Sequence, residues 1–150
     1  MAWNPDQYIL FSDHRLRPAL DLLSQVPLIS PSVIYDLGCG TGNVTALLSQ
    51  HWNDAIVTGM DNSEEMLAKA RSEHPSIEWK LGNIREFSPA SMGNLIYSNA
   101  ALHWLDHHET LFPKLLGELR PVVFSRYRCL TTFQRRLTKI FMILLSRLSG

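Results

Sequence analysis

Val33-Ile34-Tyr35-Asp36-Leu37-Gly38-Cys39-Gly40-Thr41-Gly42-Asn43-Val44-Thr45 decides the fold of this 150-residue chain. An apolar, β-prone run carries an acidic residue, passes through three alternate glycines and continues into a helix-forming stretch. Glycine tolerates positive φ and lets a ligand approach the backbone, so Gly38, Gly40 and Gly42 suit a tight strand-to-helix turn at a nucleotide-type cofactor. Three glycines alone also suit an ordinary βα turn, and the acidic residue ahead of them narrows the choice. The dinucleotide fingerprint spaces its glycines G-x-G-x-x-G and aims a helix N-terminus at a pyrophosphate. Here the pattern is D-x-G-x-G-x-G, and Asp36 would repel a phosphate, which argues against a dinucleotide.

A second β-rich run, Ala55-Ile56-Val57-Thr58-Gly59-Met60-Asp61, ends in a carboxylate 19 residues after Gly42. Such a carboxylate can accept both hydroxyls of a ribose. Asp61-Asn62-Ser63-Glu64-Glu65 also reads as a helix start, with an N-cap residue followed by acids in the first turn. Further on, Trp79-Lys80-Leu81-Gly82-Asn83-Ile84 reads as a short strand and a turn. Helices are expected over 13–26, 43–52, 63–72 and 110–119, and strands over 33–36, 55–60, 77–80 and 93–99. Strands alternating with helices predict an α/β, Rossmann-like, doubly wound parallel sheet. The ligand then belongs outside the carboxyl ends of the strands, where Asp36, Asp61, Asn83 and Asn99 fall.

The glycine string resembles motif I of the S-adenosylmethionine-dependent methyltransferases, whose acidic position faces the cationic methionine end of the cofactor. In that family the strand corresponding to Trp79-Lys80-Leu81 ends in Gly-Asp-Ile or similar, with the acidic or amide side chain on the adenine amino group. This chain has Asn83, whose amide oxygen can still accept and whose NH2 adds donors. The run Asn94-Leu95-Ile96-Tyr97-Ser98-Asn99-Ala100-Ala101-Leu102-His103-Trp104-Leu105, the aromatic N-terminus Trp3-Asn4-Pro5-Asp6-Gln7-Tyr8-Ile9-Leu10-Phe11, Arg15-Leu16-Arg17-Pro18-Ala19 and Leu111-Phe112-Pro113 resemble the trans-aconitate 2-methyltransferases over residues 3–120. The resemblance implies S-adenosylmethionine as cofactor and methyl transfer to one carboxylate of a small polycarboxylic acid. It implies that Asp36, Gly38, Gly40, Gly42, Asp61, Asn83 and Asn99 hold the cofactor. It further implies that Trp3 and Tyr8, with Phe11, cover it and that His103 and Trp104 border the methyl group. His103 stands where the family more often has Gln. For each aromatic, core packing is the competing role.

Composition suits a single compact domain: 45% of residues are hydrophobic, enough for a core without disulfide staples. Cys39 and Cys129 make neither a secreted disulfide framework nor a metal site. His103 and His107 share an i, i+4 spacing and His108 follows, but Asp106 and Glu109 beside them suit a solvated loop, so no metal is expected. The N-terminus lacks a basic region followed by an apolar stretch, and nowhere do 18 apolar residues run together. A cytoplasmic protein with a small-molecule substrate, and with neither a nucleic-acid nor a membrane partner, is expected.

The overall neutrality conceals two opposite parts. Residues 1–120 hold 8 basic and 14 acidic residues, net −6, whereas residues 121–150 hold 6 basic and no acidic residues, net +6. The domain is therefore expected to occupy 1–120, with 121–150 as an aberrant basic tail in place of the later strands of the sheet. Codons can be chosen for 121–145 such that restoring one G after the proline codon yields PGGVFQVQMPDNFPAPSHQDLYDTA, which looks like the family's continuation. A single-base frameshift after Pro121 is the expectation, leaving the fourth strand or the remnant of a fifth with an open edge and cofactor binding without turnover. The competing reading of the tail is a cationic amphipathic helix around Ile140-Phe141-Met142-Ile143-Leu144-Leu145 that meets a membrane surface or nucleic acid. In function, the alternative to a methyltransferase is a non-catalytic nucleotide-binding or interaction module built on the same loop.

Overall fold

Alternate side chains of a β-strand face opposite sides of a sheet, and here both sides are apolar, so the strands need cover on two faces. The computed structural model describes residues 16–24, 26 and 30–120, together with the backbone of 141–145. Strands β1 (Val33–Leu37), β2 (Ile56–Asp61), β3 (Glu78–Leu81), β4 (Leu95–Asn99) and β5 (Phe141–Leu145) form a five-stranded sheet of order β3-β2-β1-β4-β5. The first four are mutually parallel, with Ile34 opposite both Val57 and Leu95 and Asp36 opposite both Gly59 and Tyr97. Among the described residues the helices are α1 (Arg17–Ser24), α2 (Asn43–His51), α3 (Glu64–Glu73) and α4 (His108–Gly117), with short 3-10 turns at Ile84–Glu86 and Leu102–Trp104.

Two cores follow from the alternation. On one face Ile34, Val57, Leu95 and Tyr97 pack with Leu23 and Val26 from the α1 region and Leu48 of α2. On the other, Tyr35, Leu37, Met60 and Ile96 pack with Ile84, Phe87, Leu102 and with Leu111, Leu115 and Leu119 in and after α4. This is the doubly wound parallel architecture the sequence implies. Each expected helix and each of the four expected parallel strands is present, with ends displaced by a few residues; positions 13–15 and 25 of the first helix lie outside the described residues. Ser63 caps α3, accepting from Met66 N at 3.4 Å, and Glu64 and Glu65 stand in the first turn. The chain runs outward from β1 to β3, then returns to β4 on the other side of β1. That reversal places the topological switch point between β1 and β4.

Of the two edges expected to be open, that of β4 is covered: β5 pairs with it antiparallel, from Leu95 opposite Leu145 to Asn99 opposite Phe141. The same residues form a strand rather than an amphipathic helix. An unpaired strand edge offers N–H and C=O groups to any extended apolar run, and Phe141-Met142-Ile143-Leu144-Leu145 is one.

Candidate functional site

All three alternate glycines have positive φ: 76° at Gly38, 56° at Gly40 and 83° at Gly42. At Gly38 a Cβ would stand 2.2 Å from the Cβ of Ala101, so the loop after β1 touches the segment after β4. At Gly42, the N-cap of α2, a Cβ would meet the Trp79 ring at 2.3 Å. Over Gly40 nothing lies within 4 Å, which leaves the backbone open to a ligand. The loop is held to β2 by its own amides: Gly38 N and Cys39 N donate to Met60 O at 2.8 and 3.0 Å, and Gly40 N donates to Asp61 Oδ2 at 2.8 Å.

Asp61, the last residue of β2, accepts on its second oxygen from Ser63 N at 2.9 Å. Both oxygens are oriented by backbone N–H groups, and the half-buried carboxylate keeps lone pairs for a ligand hydroxyl. Asp61 and Asn62 line a cleft of about 300 Å³. Gly38 contributes from the glycine loop, Gly82, Asn83 and Ile84 from beyond β3, and Ala100, Ala101, Trp104 and Leu105 from beyond β4. The cleft thus stands at the carboxyl ends of the parallel strands. Its walls combine one oriented carboxylate, the two amides of Asn62 and Asn83 and several apolar side chains, a set suited to a nucleoside.

Asp36 stands elsewhere. It lies inside β1, 1% exposed, and accepts from Thr45 Oγ1 of α2 at 2.6 Å. It is not among the cleft-lining residues. Burial pushes its carboxyl up to about 7, opposed by the Thr45 hydrogen bond and reinforced by the nearby Asp61. Burial, with Asp36 and Asp61, likewise pushes the Cys39 thiol far up, so it stays protonated. Asn83 accepts from Arg85 N at 3.0 Å and so caps the 84–86 turn while lining the cleft. Asn99 ends β4, one residue before the cleft-lining Ala100.

Trp104 is 80% exposed and lines the cleft, whereas His103 does not; its ring packs on Trp104 with centroids 4.8 Å apart, and its Nδ1 is buried without a hydrogen-bond partner. His107 approaches Glu109 at 3.3 Å and His108 Nε2 meets Leu102 O at 2.8 Å. Trp3 and Tyr8 lie outside the described residues. Sequence reasoning overlooked Thr45, Ala101 and Trp79. Trp79 donates from Nε1 to His74 O at 3.1 Å and fills the space over Gly42 and Gly59, where a Cβ would lie 2.4 Å from its ring. The pairing of two glycines with one tryptophan across three elements carries no local signal. Ala100 was also overlooked: at φ 56° it holds a left-handed conformation that costs a non-glycine residue about 1–2 kcal/mol. Such strain beside a cleft accords with a functional turn.

Comparison with known proteins bears on this geometry. Residues 34–123 match the family model described as a methyltransferase domain. The chain is 48% identical over 120 residues to the trans-aconitate 2-methyltransferase of Azoarcus sp. (strain BH72), covering 80% of this chain and 47% of that one. To the enzyme of the same name from Escherichia coli (strain K12 / DH10B) it is 47% identical over 119 residues, covering 79% and 47%. The chain therefore spans about half the length of the curated relatives it matches. Among solved structures, an S-adenosylmethionine-dependent methyltransferase from Mesorhizobium loti superposes with a TM-score of 0.60 at 33% identity, covering 71% of this chain and 49% of that one. The matched segment begins in β1 and takes in the glycine loop, Asp61, Asn83 and the turn after β4, so the residues that build the cleft are those the family model spans, and the chain belongs to the methyltransferase-domain family.

Proposed function

We propose that this chain binds S-adenosylmethionine in the cleft at the carboxyl ends of β1 to β4. The protein is then an S-adenosylmethionine-dependent O-methyltransferase acting on trans-aconitate or a similar small polycarboxylic acid. The observation that carries the reading is the Gly40 N–H to Asp61 hydrogen bond, which joins the glycine loop to a carboxylate facing the cleft. Asp61 takes the ribose hydroxyls, Gly38 and Gly40 let the methionine end lie on bare backbone, and Asn83 meets the base. Gly42 starts α2, and Asn99 supports the turn that brings Ala100 and Ala101 to the cleft. Asp36 acts from beneath the loop, setting charge and shape through Thr45. His103 and Trp104, with Trp3 and Tyr8, border the transferring methyl.

Bound cofactor supplies an electrophilic methyl on a sulfonium; a carboxylate oxygen of the acceptor gains it as the sulfur–carbon bond breaks, and no proton moves. A carboxylate is ionised at pH 7, so no strong general base is required of the chain. Its residues have only to orient, desolvate and exclude water. A reaction that requires no base fits a cleft whose carboxylate, Asp61, is oriented by backbone donors to accept ligand hydroxyls.

The same reading places the protein in the cytoplasm, without a nucleic-acid or membrane partner. Among the described residues no helix is long and apolar enough to cross a membrane. It assigns 1–120 to the methyltransferase domain and 122–150 to out-of-frame translation, which sequencing the DNA at codon 121 tests. Isothermal titration with S-adenosylmethionine and a methyl-transfer assay with trans-aconitate test the two halves of the function separately. Cofactor binding is expected at micromolar concentrations. Binding of ATP or NAD in preference to S-adenosylmethionine would point instead to a non-catalytic nucleotide module.

A further inference from the structure

We propose that Asn83 makes the base subsite tolerant of a 6-oxo purine, so that the chain binds a hypoxanthine nucleoside thioether about as well as the adenine one. This rests on the cofactor reading above and concerns the far end of the same cleft. Beyond the ribose carboxylate Asp61, the next strand outward delivers Gly82, Asn83 and Ile84, while Trp104 and Leu105 line the cleft from beyond β4. Gly82 N donates to Asp61 O at 2.9 Å, tying the exits of β2 and β3 together. Apolar surfaces with the Asn83 amide between them, and Asn62 nearer Asp61, fit a purine base.

The orientation of that amide is decided by the backbone. Arg85 N is a donor, 3.0 Å from Asn83 Oδ1, so the oxygen faces the 84–86 turn it caps. The NH2 is left without a hydrogen-bond partner among the described residues, and the side chain that carries it lines the cleft. The N–H donors suit adenine N1 or, with the base shifted along its edge, the O6 of hypoxanthine, whose N1 is itself a donor. A carboxylate at this position would offer acceptors alone, accepting from the adenine amino group and repelling O6. Specificity of that kind comes from the mismatched group left facing a like partner.

Aspartate caps as well as asparagine, so Asn83→Asp exchanges the donor for an acceptor while keeping the turn. Isothermal titration of the 150-residue chain and of Asn83→Asp with S-adenosylhomocysteine and S-inosylhomocysteine tests the idea. The two dissociation constants should lie within about tenfold for the unaltered chain, and the preference for adenine should grow by about tenfold or more in Asn83→Asp. An adenine preference well above about tenfold in the unaltered chain, or one that Asn83→Asp leaves unchanged, overturns the proposal. Failure of the unaltered chain to bind either thioether overturns the cofactor reading with it.

Discussion

Thr45 Oγ1 donates a 2.6 Å hydrogen bond to the carboxylate of Asp36, joining the first turn of α2 to the interior of β1 beneath the glycine loop. Both side chains are buried, and burial, partly offset by Thr45, lifts the Asp36 carboxyl from 3.8 to about 7. The folded chain therefore holds a proton that the unfolded chain has lost across this window. Stability is full below the unfolded pKa and falls as pH rises toward 7, by up to about 4 kcal/mol from this group. Asp36→Asn keeps an acceptor for Thr45 and removes the ionisation. Urea midpoints from pH 4 to 8 should fall for the unaltered chain and stay flatter for the variant; parallel slopes would refute the assignment.

Two neighbouring glycines should respond differently to alanine. Both have positive φ, which costs alanine about 1–2 kcal/mol. At Gly38 the new Cβ also collides with that of Ala101 at 2.2 Å, a contact between two backbone-anchored carbons that no rotamer relieves. At Gly40 it enters open space. Gly38→Ala is expected to lower the thermal midpoint by well over twice the drop seen for Gly40→Ala, while Gly40→Ala weakens nucleoside binding with little further loss of stability. Equal melting temperatures for the two variants would contradict the close approach of the β1 and β4 loops.

The glycine loop, the alternation of strands and helices and the placement of Asp61 were legible because each is local: a turn chemistry, a period and a spacing. The site of Asp36 was not. Motif spacing puts an acid near the end of β1, but Leu37 still belongs to that strand, and Asp36 shares the face of Ile34, which α2 covers. Which face of a sheet a helix covers is a tertiary matter. The role of Trp79 was hidden for the same reason: it contacts Gly42 and Gly59 only once β3 has docked on β2. The antiparallel β5 lay beyond sequence reasoning too, since edge pairing is made by backbone groups common to all residues.

Ala100→Gly should stabilise the chain. Its φ of 56° is left-handed, and removing the Cβ relieves about 1 kcal/mol, less whatever the freer unfolded backbone gains. A rise of a few degrees in the thermal midpoint is expected. If the strain serves the cleft, nucleoside affinity should fall at the same time, which a thermal-shift titration with S-adenosylhomocysteine reads directly.

Asp61→Asn should be more damaging than its loss of charge suggests. Gly40 N donates to one oxygen and Ser63 N to the other, at 2.8 and 2.9 Å. An amide in the same place has to turn its NH2 toward one of these donors, whichever way it is flipped. One backbone N–H is left facing a like group, at a cost of about 1–3 kcal/mol, and the loop or the start of α3 shifts to escape it. Asp61→Ala leaves both donors open to water and avoids the clash. Denaturation midpoints should therefore rank the unaltered chain first, with Asp61→Asn no more stable than Asp61→Ala. Both variants should lose S-adenosylhomocysteine binding in isothermal titration. An Asp61→Asn chain as stable as the unaltered one, with its affinity kept, would mean that neither hydrogen bond orients the carboxylate.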